Sequence, residues 1–201
     1  MKLIAHRGNT NGPVKHKENT IDYILEAINA GFDCEIDIWK IDNQLYLGHD
    51  NPEHLVNYSF LQKYNDKLWV HCKNVQALSF LKDKFNCFYH NYDTYTLTSR
   101  GYIWGNINSD IDENIIDVMP ELSTKQNRGK VCMGICSDYI INNSEIIISY
   151  LEKKKFKANK KIDPKQIVLA GWSAGAAMTM WGLENGEDIL KVAAKPGRAR
   201  F

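Results

Sequence analysis

The sequence predicts an α/β chain: a small (β/α)8 TIM-type barrel with reduced helices, followed by a C-terminal strand–turn–helix appendage. Three observations predict it. Eight apolar, β-branched or aromatic runs recur within residues 1–150. Two stretches between them have helical periodicity. Residues 151–201 then change composition and carry a Gly-x-Ser-x-Gly motif after one more apolar run. A barrel confined to residues 1–150 is far shorter than the usual ~250 residues, so several helices must be lost or shortened.

The strand candidates follow in order: KLIAH (2–6), FDCEIDIW (32–39), QLYLGH (44–49), LWVHCK (68–73), NCFYH (86–90), YIWGNI (102–107), IIDVMP (115–120) and VCMGICSD (131–138). The first helix is NTIDYILEAINAG (19–31), with Ile21, Ile24, Leu25 and Ile28 on one face. Asn19 can cap it, Asp22 is its box-like partner, and Gly31 can end it. The second helix is NVQALSFLKDKF (74–85). The basic run EKKKFKANKK (152–161) marks a boundary near residue 150 or a solvated helix end.

Composition excludes several function classes. The net charge of +1 gives no footprint for nucleic acid. No segment approaches the ~20 apolar residues of a membrane helix, so no stable membrane insertion is expected. The five cysteines, an odd number without a CxxC pair, read as reduced thiols in a cytoplasmic protein. Charge is uneven along the chain. Residues 1–150 hold 14 basic and 19 acidic side chains, whereas residues 151–201 hold 11 and 5. This sets the predicted barrel (1–150) apart from a basic segment (151–201), which is either a fused fragment or a basic surface.

Polar residues on the strands carry the chemistry. Alternation puts Glu35 and Asp37 on one face, and Ile36 and Ile38 on the other, toward the helices. Two inward carboxylates repel each other and lose hydration. A divalent ion relieves both costs, and hard oxygen donors suit Mg²⁺ or Ca²⁺. A partly exposed edge strand is the plainer alternative. His6 and Arg7 end the first strand, and His49 and Asp50 end the third. In a barrel such ends meet on one rim. Two imidazoles can serve as acid and base near neutrality, and Arg7 offers a planar fork to phosphate oxygens.

HRG (6–8), ENT (18–20), CEIDIW (34–39) and LGHD (47–50) together resemble the glycerophosphodiester phosphodiesterase family. The match continues weakly through VHCK (70–73) to CSDY (136–139), so it spans residues 1–142 and is specific in the first 50. The resemblance implies a phosphatidylinositol-phosphodiesterase type of barrel that hydrolyses small phosphodiesters with a divalent metal. It implies acid–base work for His6 and His49, a phosphate contact for Arg7, and metal ligation by Glu35 and Asp37. The nucleophile in that family is commonly the substrate's own neighbouring hydroxyl. The family usually has a Glu two residues before a Lys on the fourth strand; here the pair is His71 and Lys73. Lys73 keeps a phosphate-contacting role. His71 either ligates the metal through nitrogen or hydrogen-bonds beside it. An imidazole there weakens the case for Ca²⁺ and leaves room for Mg²⁺ or a transition ion. Glu121 is a further candidate carboxylate.

The remaining features have plain readings beside functional ones. His16 and His54 read as surface histidines. His90, at a strand end, could reach substrate. Trp39 and Trp104 either wall a pocket or pack in the core. In DPKQIVLAGWSAGAA (163–177), Ser173 sits as in the nucleophile elbow of α/β-hydrolases. That fold places its histidine after the serine, and the last histidine here is His90. A serine without a base is a poor nucleophile. Metal-dependent phosphodiester hydrolysis is therefore the leading expectation. A barrel without activity that serves as a binding module is the alternative, and a Ser173 esterase comes last.

Overall fold

A computed structural model describes residues 1–125, 131–141, 169–170 and 179–180. The boundary expected near residue 150 and the turn holding Ser173 lie outside the described residues.

All eight expected runs up to residue 138 contain strand: β1 (Lys2–His6), β2 (Asp33–Ile41), β3 (Gln44–Leu47), β5 (Leu68–Cys72), β6 (Cys87–Phe88), β8 (Ile103–Gly105), β9 (Ile115–Val118) and β10 (Gly134–Ser137). Two short strands join them, β4 (His54–Val56) and β7 (Tyr95–Leu97). The helices are α1 (Ile21–Asn29), α2 (Tyr58–Lys63) and α3 (Val75–Leu81), with a 3₁₀ turn at Pro120–Leu122.

These ten strands form one mixed sheet. Seven run parallel, in the order β6-β5-β2-β1-β10-β9-β8. The chain's first strand thus lies between its second and its last of this set. β6 and β8 do not pair, so the sheet is open where the sequence predicted a closed eight-stranded barrel. One of the eight expected barrel strands is spent elsewhere. β3 runs antiparallel to β2 and pairs β4 in turn. Only Asp42 and Asn43 separate β2 from β3, and a parallel crossover needs a dozen or more residues. Asp42 takes the positive φ of 50° that so short a loop requires.

The sheet has an apolar cluster on each face. On the outer face, Cys34, Ile36, Ile38, Val70 and Cys72 pack with Ile24 and Ala27 of α1 and with Ala77 and Leu81 of α3. On the inner face, Ile4, Trp69, Phe88, Trp104, Ile116, Val118 and Cys136 form a separate cluster. The Phe88 and Trp104 ring centroids are 4.6 Å apart, across the unpaired gap. Trp104 is therefore core and does not wall a pocket.

Thr20, not Asn19, caps α1, its hydroxyl accepting from the Tyr23 amide. Asn19 takes a φ of 58° and turns toward the sheet. In the C-terminal segment, Leu169–Ala170 pairs antiparallel with Thr179–Met180. The helix expected after Ser173 thus does not run through residue 180; a β-branched Thr between methionines suits a strand.

Candidate metal centre and its surroundings

Alternation along the parallel strands builds the site above the inner apolar cluster. Two residues beyond Ile4 comes His6; two beyond Trp69 comes His71, then Lys73; two beyond Phe88 comes His90; two beyond Cys136 comes Asp138. The inner face therefore changes from apolar to ionisable along the strand direction. Register completes the arrangement, setting His6 beside Glu35 and Asp37 beside His71.

Glu35, Asp37 and His71 each offer one donor atom within 4.8 Å of the others. His71 Nδ1 lies 3.0 Å from Asp37 Oδ1 and 4.0 Å from Glu35 Oε1. Both carboxylates are buried. Glu35 Oε2 has no hydrogen-bond partner, whereas Asp37 Oδ1 is held by His71 and by the Lys73 cation. Leaving a buried carboxylate oxygen unsatisfied is costly, and a cation beside Glu35 removes the cost. Two carboxylates and an imidazole are a donor set that fits a divalent ion.

Cations ring the same carboxylates. Arg7 Nε is 3.1 Å from Asp37 Oδ2, and Lys73 Nζ is 3.4 Å from Asp37 Oδ1. Arg7 reaches back because it adopts a φ of 54°, which a non-glycine residue holds only under constraint. Its amide donates to Glu35 O, and its carbonyl accepts from the Asn19 amide. Asn19 Nδ2 donates to Asp37 Oδ2 (2.9 Å), and the Asp37 amide donates to Asn19 Oδ1 (3.0 Å).

His6 is fixed at both ends. Its Nδ1 donates to Asp138 Oδ1 at 2.8 Å, while Nε2 faces Glu35 Oε2 at 3.9 Å. Asn9 Nδ2 bridges Asp138 (2.8 Å) and Glu18 (3.0 Å), and Arg7 also contacts Glu18 at 3.3 Å. Burial alone would lower the His6 imidazole; the Asp138 bond and the Glu35 charge outweigh it, and the ring titrates above its ordinary value. Burial would raise Asp138, yet its bond to His6 holds it below the usual carboxylate value. Burial and the Asp37 charge push Glu35 up. Burial would push Asp37 up too, but His71, Arg7 and Lys73 hold it well below the carboxylate range.

No family model, characterised protein or solved structure matches this chain.

His49 does not end a barrel strand as the sequence predicted. It sits in the loop after β3, which is a hairpin strand. Two bonds return that loop to β2: the Gly48 amide donates to Asp37 O (3.2 Å), and Trp39 Nε1 donates to Gly48 O (2.7 Å). Gly48 has a φ of 146°, and a Cβ there would stand 2.1 Å from Asn51 O, so only glycine makes the turn. His49 is half-exposed, and its Nδ1 donates to Asp50 Oδ1 at 2.7 Å. Burial holds it below its ordinary value, against the opposing charge of Asp37. His49 lines an open cleft of about 290 Å³ together with Arg7, Lys15, Glu18, Asn19 and Glu53.

His90 faces the site, its ring stacked on His71 at 4.7 Å between centroids. Burial, with the charges of His71 and Lys73, lowers it to about 4. Glu121 does not join the metal cluster: its Oε1 accepts from Ser137 Oγ and the Asp138 amide. Sequence reasoning brought His6, Arg7, Glu35, Asp37, His71 and Lys73 into one site. It missed the roles of Asn9, Glu18, Asn19 and Asp138. ENT and CSDY were the only signals pointing at the last three.

Proposed function

We propose that this chain is a metal-dependent phosphodiesterase acting on small phosphodiesters of the glycerophosphodiester type. The open parallel sheet is then a reduced form of a phosphodiesterase barrel, its gap bridged by the Phe88–Trp104 contact and the 98–99 segment. The observation that carries the reading is the meeting of Glu35, Asp37 and His71 with Arg7 and Lys73, beside an imidazole whose Nε2 faces inward. Glu35, Asp37 and His71 would hold the ion, which supplies Lewis-acid stabilisation of charge on the phosphoryl group. Arg7 and Lys73 bind the phosphate oxygens and add to that stabilisation. The Asp138 bond orients His6 so that its Nε2 can exchange a proton with the substrate. His49, on the cleft side, handles the second proton. One imidazole takes the proton of the attacking hydroxyl and the other gives a proton to the leaving alcohol.

The test is release of alcohol from glycerophosphodiesters by the full chain, with and without EDTA. His6→Ala is expected to lower turnover by about 10²–10⁴-fold. Glu35→Gln is expected to abolish both turnover and ion binding. Folded, ion-loaded protein that hydrolyses none of these substrates overturns the proposal and leaves a binding module in its place.

A further inference from the structure

We propose that the centre selects a nitrogen-seeking divalent ion such as Co²⁺, Ni²⁺ or Zn²⁺ over Mg²⁺ and Ca²⁺, with His71 Nδ1 as the selecting ligand. The inference rests on the metal site proposed above and goes on to name its ion. Three observations support it.

The first is charge. Ca²⁺ and Mg²⁺ are held by anionic oxygen, and affinity follows the number of charged ligands. Here the two carboxylates already face two permanent cations, Arg7 at 3.1 Å and Lys73 at 3.4 Å from Asp37. With Glu18, which pairs Arg7 at 3.3 Å, the five groups carry a net charge of only −1. An ion that depends on charge alone gains little from such a site. An ion that also gains from a nitrogen donor keeps that part of its affinity.

The second is placement. His71 Nδ1 lies 3.0 Å from one carboxylate oxygen and 4.0 Å from the other. Both separations are within the roughly 4.2 Å that two donors on one ion with ~2.1 Å bonds can span. The nitrogen therefore lies within reach of an ion held by the two carboxylates.

The third is rigidity. The His71 ring is stacked with Phe88 at 5.1 Å and 5°, and with His90 at 4.7 Å and 8°. Phe88 is itself locked against Trp104. A ring held in this way presents Nδ1 in a fixed direction, so the nitrogen donor needs no ordering when an ion binds. The same stacking excludes His90 from the shell. An ion in the plane of the His71 ring lies well out of the plane of a parallel ring stacked on it, so its lone pair cannot point there.

The experiment uses the metal-stripped full chain and the ions themselves. Calorimetric titration with Mg²⁺, Ca²⁺, Mn²⁺ and Zn²⁺ gives the ranking, and pulsed EPR on the Mn²⁺-loaded protein reads directly coordinated ¹⁴N. The expected result is Zn²⁺ binding at least about tenfold tighter than Mg²⁺, with a ¹⁴N coupling in the Mn²⁺-loaded protein that disappears in His71→Glu while the preference moves toward Mg²⁺ and Ca²⁺. Mg²⁺ or Ca²⁺ binding as tightly as Zn²⁺, or Mn²⁺ without a nitrogen coupling, overturns the inference while leaving the metal site standing. No binding of any ion overturns both. The wild-type ranking and its nitrogen coupling decide the matter even where His71→Glu fails to fold.

Discussion

At the level of single residues, the site is a set of buried charges that answer one another. His6 and Asp138 are the clearest pair, 2.8 Å apart and both largely shielded from water. The imidazole is raised above its ordinary value; its stabilising contribution is whole below about pH 6.5 and is lost as pH rises through the folded value. The carboxylate is lowered; its contribution is whole above about pH 4 and is lost as pH falls through the folded value. Asp138→Asn removes both. In EDTA, the stability gap between wild type and this variant should therefore peak between about pH 4 and 6.5 and shrink on either side. A charged hydrogen bond of this kind contributes about 1.5–3 kcal/mol. Urea titrations at a series of pH values check it, and a gap independent of pH would refute the pairing. His6, Glu35 and Asp37 were legible because chemistry-bearing types sit at period two on apolar runs. Asp138 was not, because what makes it matter is a contact across 132 positions of chain that no local pattern encodes.

Among the elements, strand existence was legible and strand direction was not used. Runs such as CEIDIW and LWVHC are β-rich and apolar, and they form β2 and β5. The orientation of β3 was also present in the sequence, in the two-residue spacer after β2, but the eightfold pattern overrode it. β4, β7 and α2 went unseen because three to six residues give too few periods to register. One local requirement is sharp. Gly134 lies where β10 meets β1, and a Cβ there would stand 2.6 Å from Lys2 Cβ and 2.7 Å from Lys2 O. Backbone cannot yield that much without parting the two strands. Gly134→Ala should destabilise the fold by about 1–3 kcal/mol. Because β10 leads into Asp138, it should also weaken the His6 anchor. Chemical denaturation reads the first effect. The second appears as loss of the pH-dependent gap described for Asp138→Asn; a Gly134→Ala protein as stable as wild type would show that β1 and β10 do not need this close approach.

For the whole molecule, an unclosed sheet raises the problem of what holds its two ends at a fixed distance. No strand ladder does, since β6 and β8 do not pair. Segment 98–99 supplies part of the answer: the Ser99 amide donates to Cys87 O and its hydroxyl to Phe85 O. The rest is aromatic, with Trp104 touching Phe88 on one side and Trp69 on the other. Phe88 in turn stacks on His71. The side chains that close the gap are thus the same ones that aim the ligand, and closure and ion binding become one property. Trp104→Ala should cost about 3–5 kcal/mol and should also weaken ion binding, because Phe88 loses its backing. Leu81→Ala, in the outer cluster, costs about 2–5 kcal/mol but touches nothing on the inner face. Its ion affinity should stay that of wild type. Calorimetric ion titration of both variants, under conditions where each is folded, separates coupling from mere loss of stability. Equal affinities in the two would mean that the inner aromatic cluster fills space beneath the site without holding it in shape.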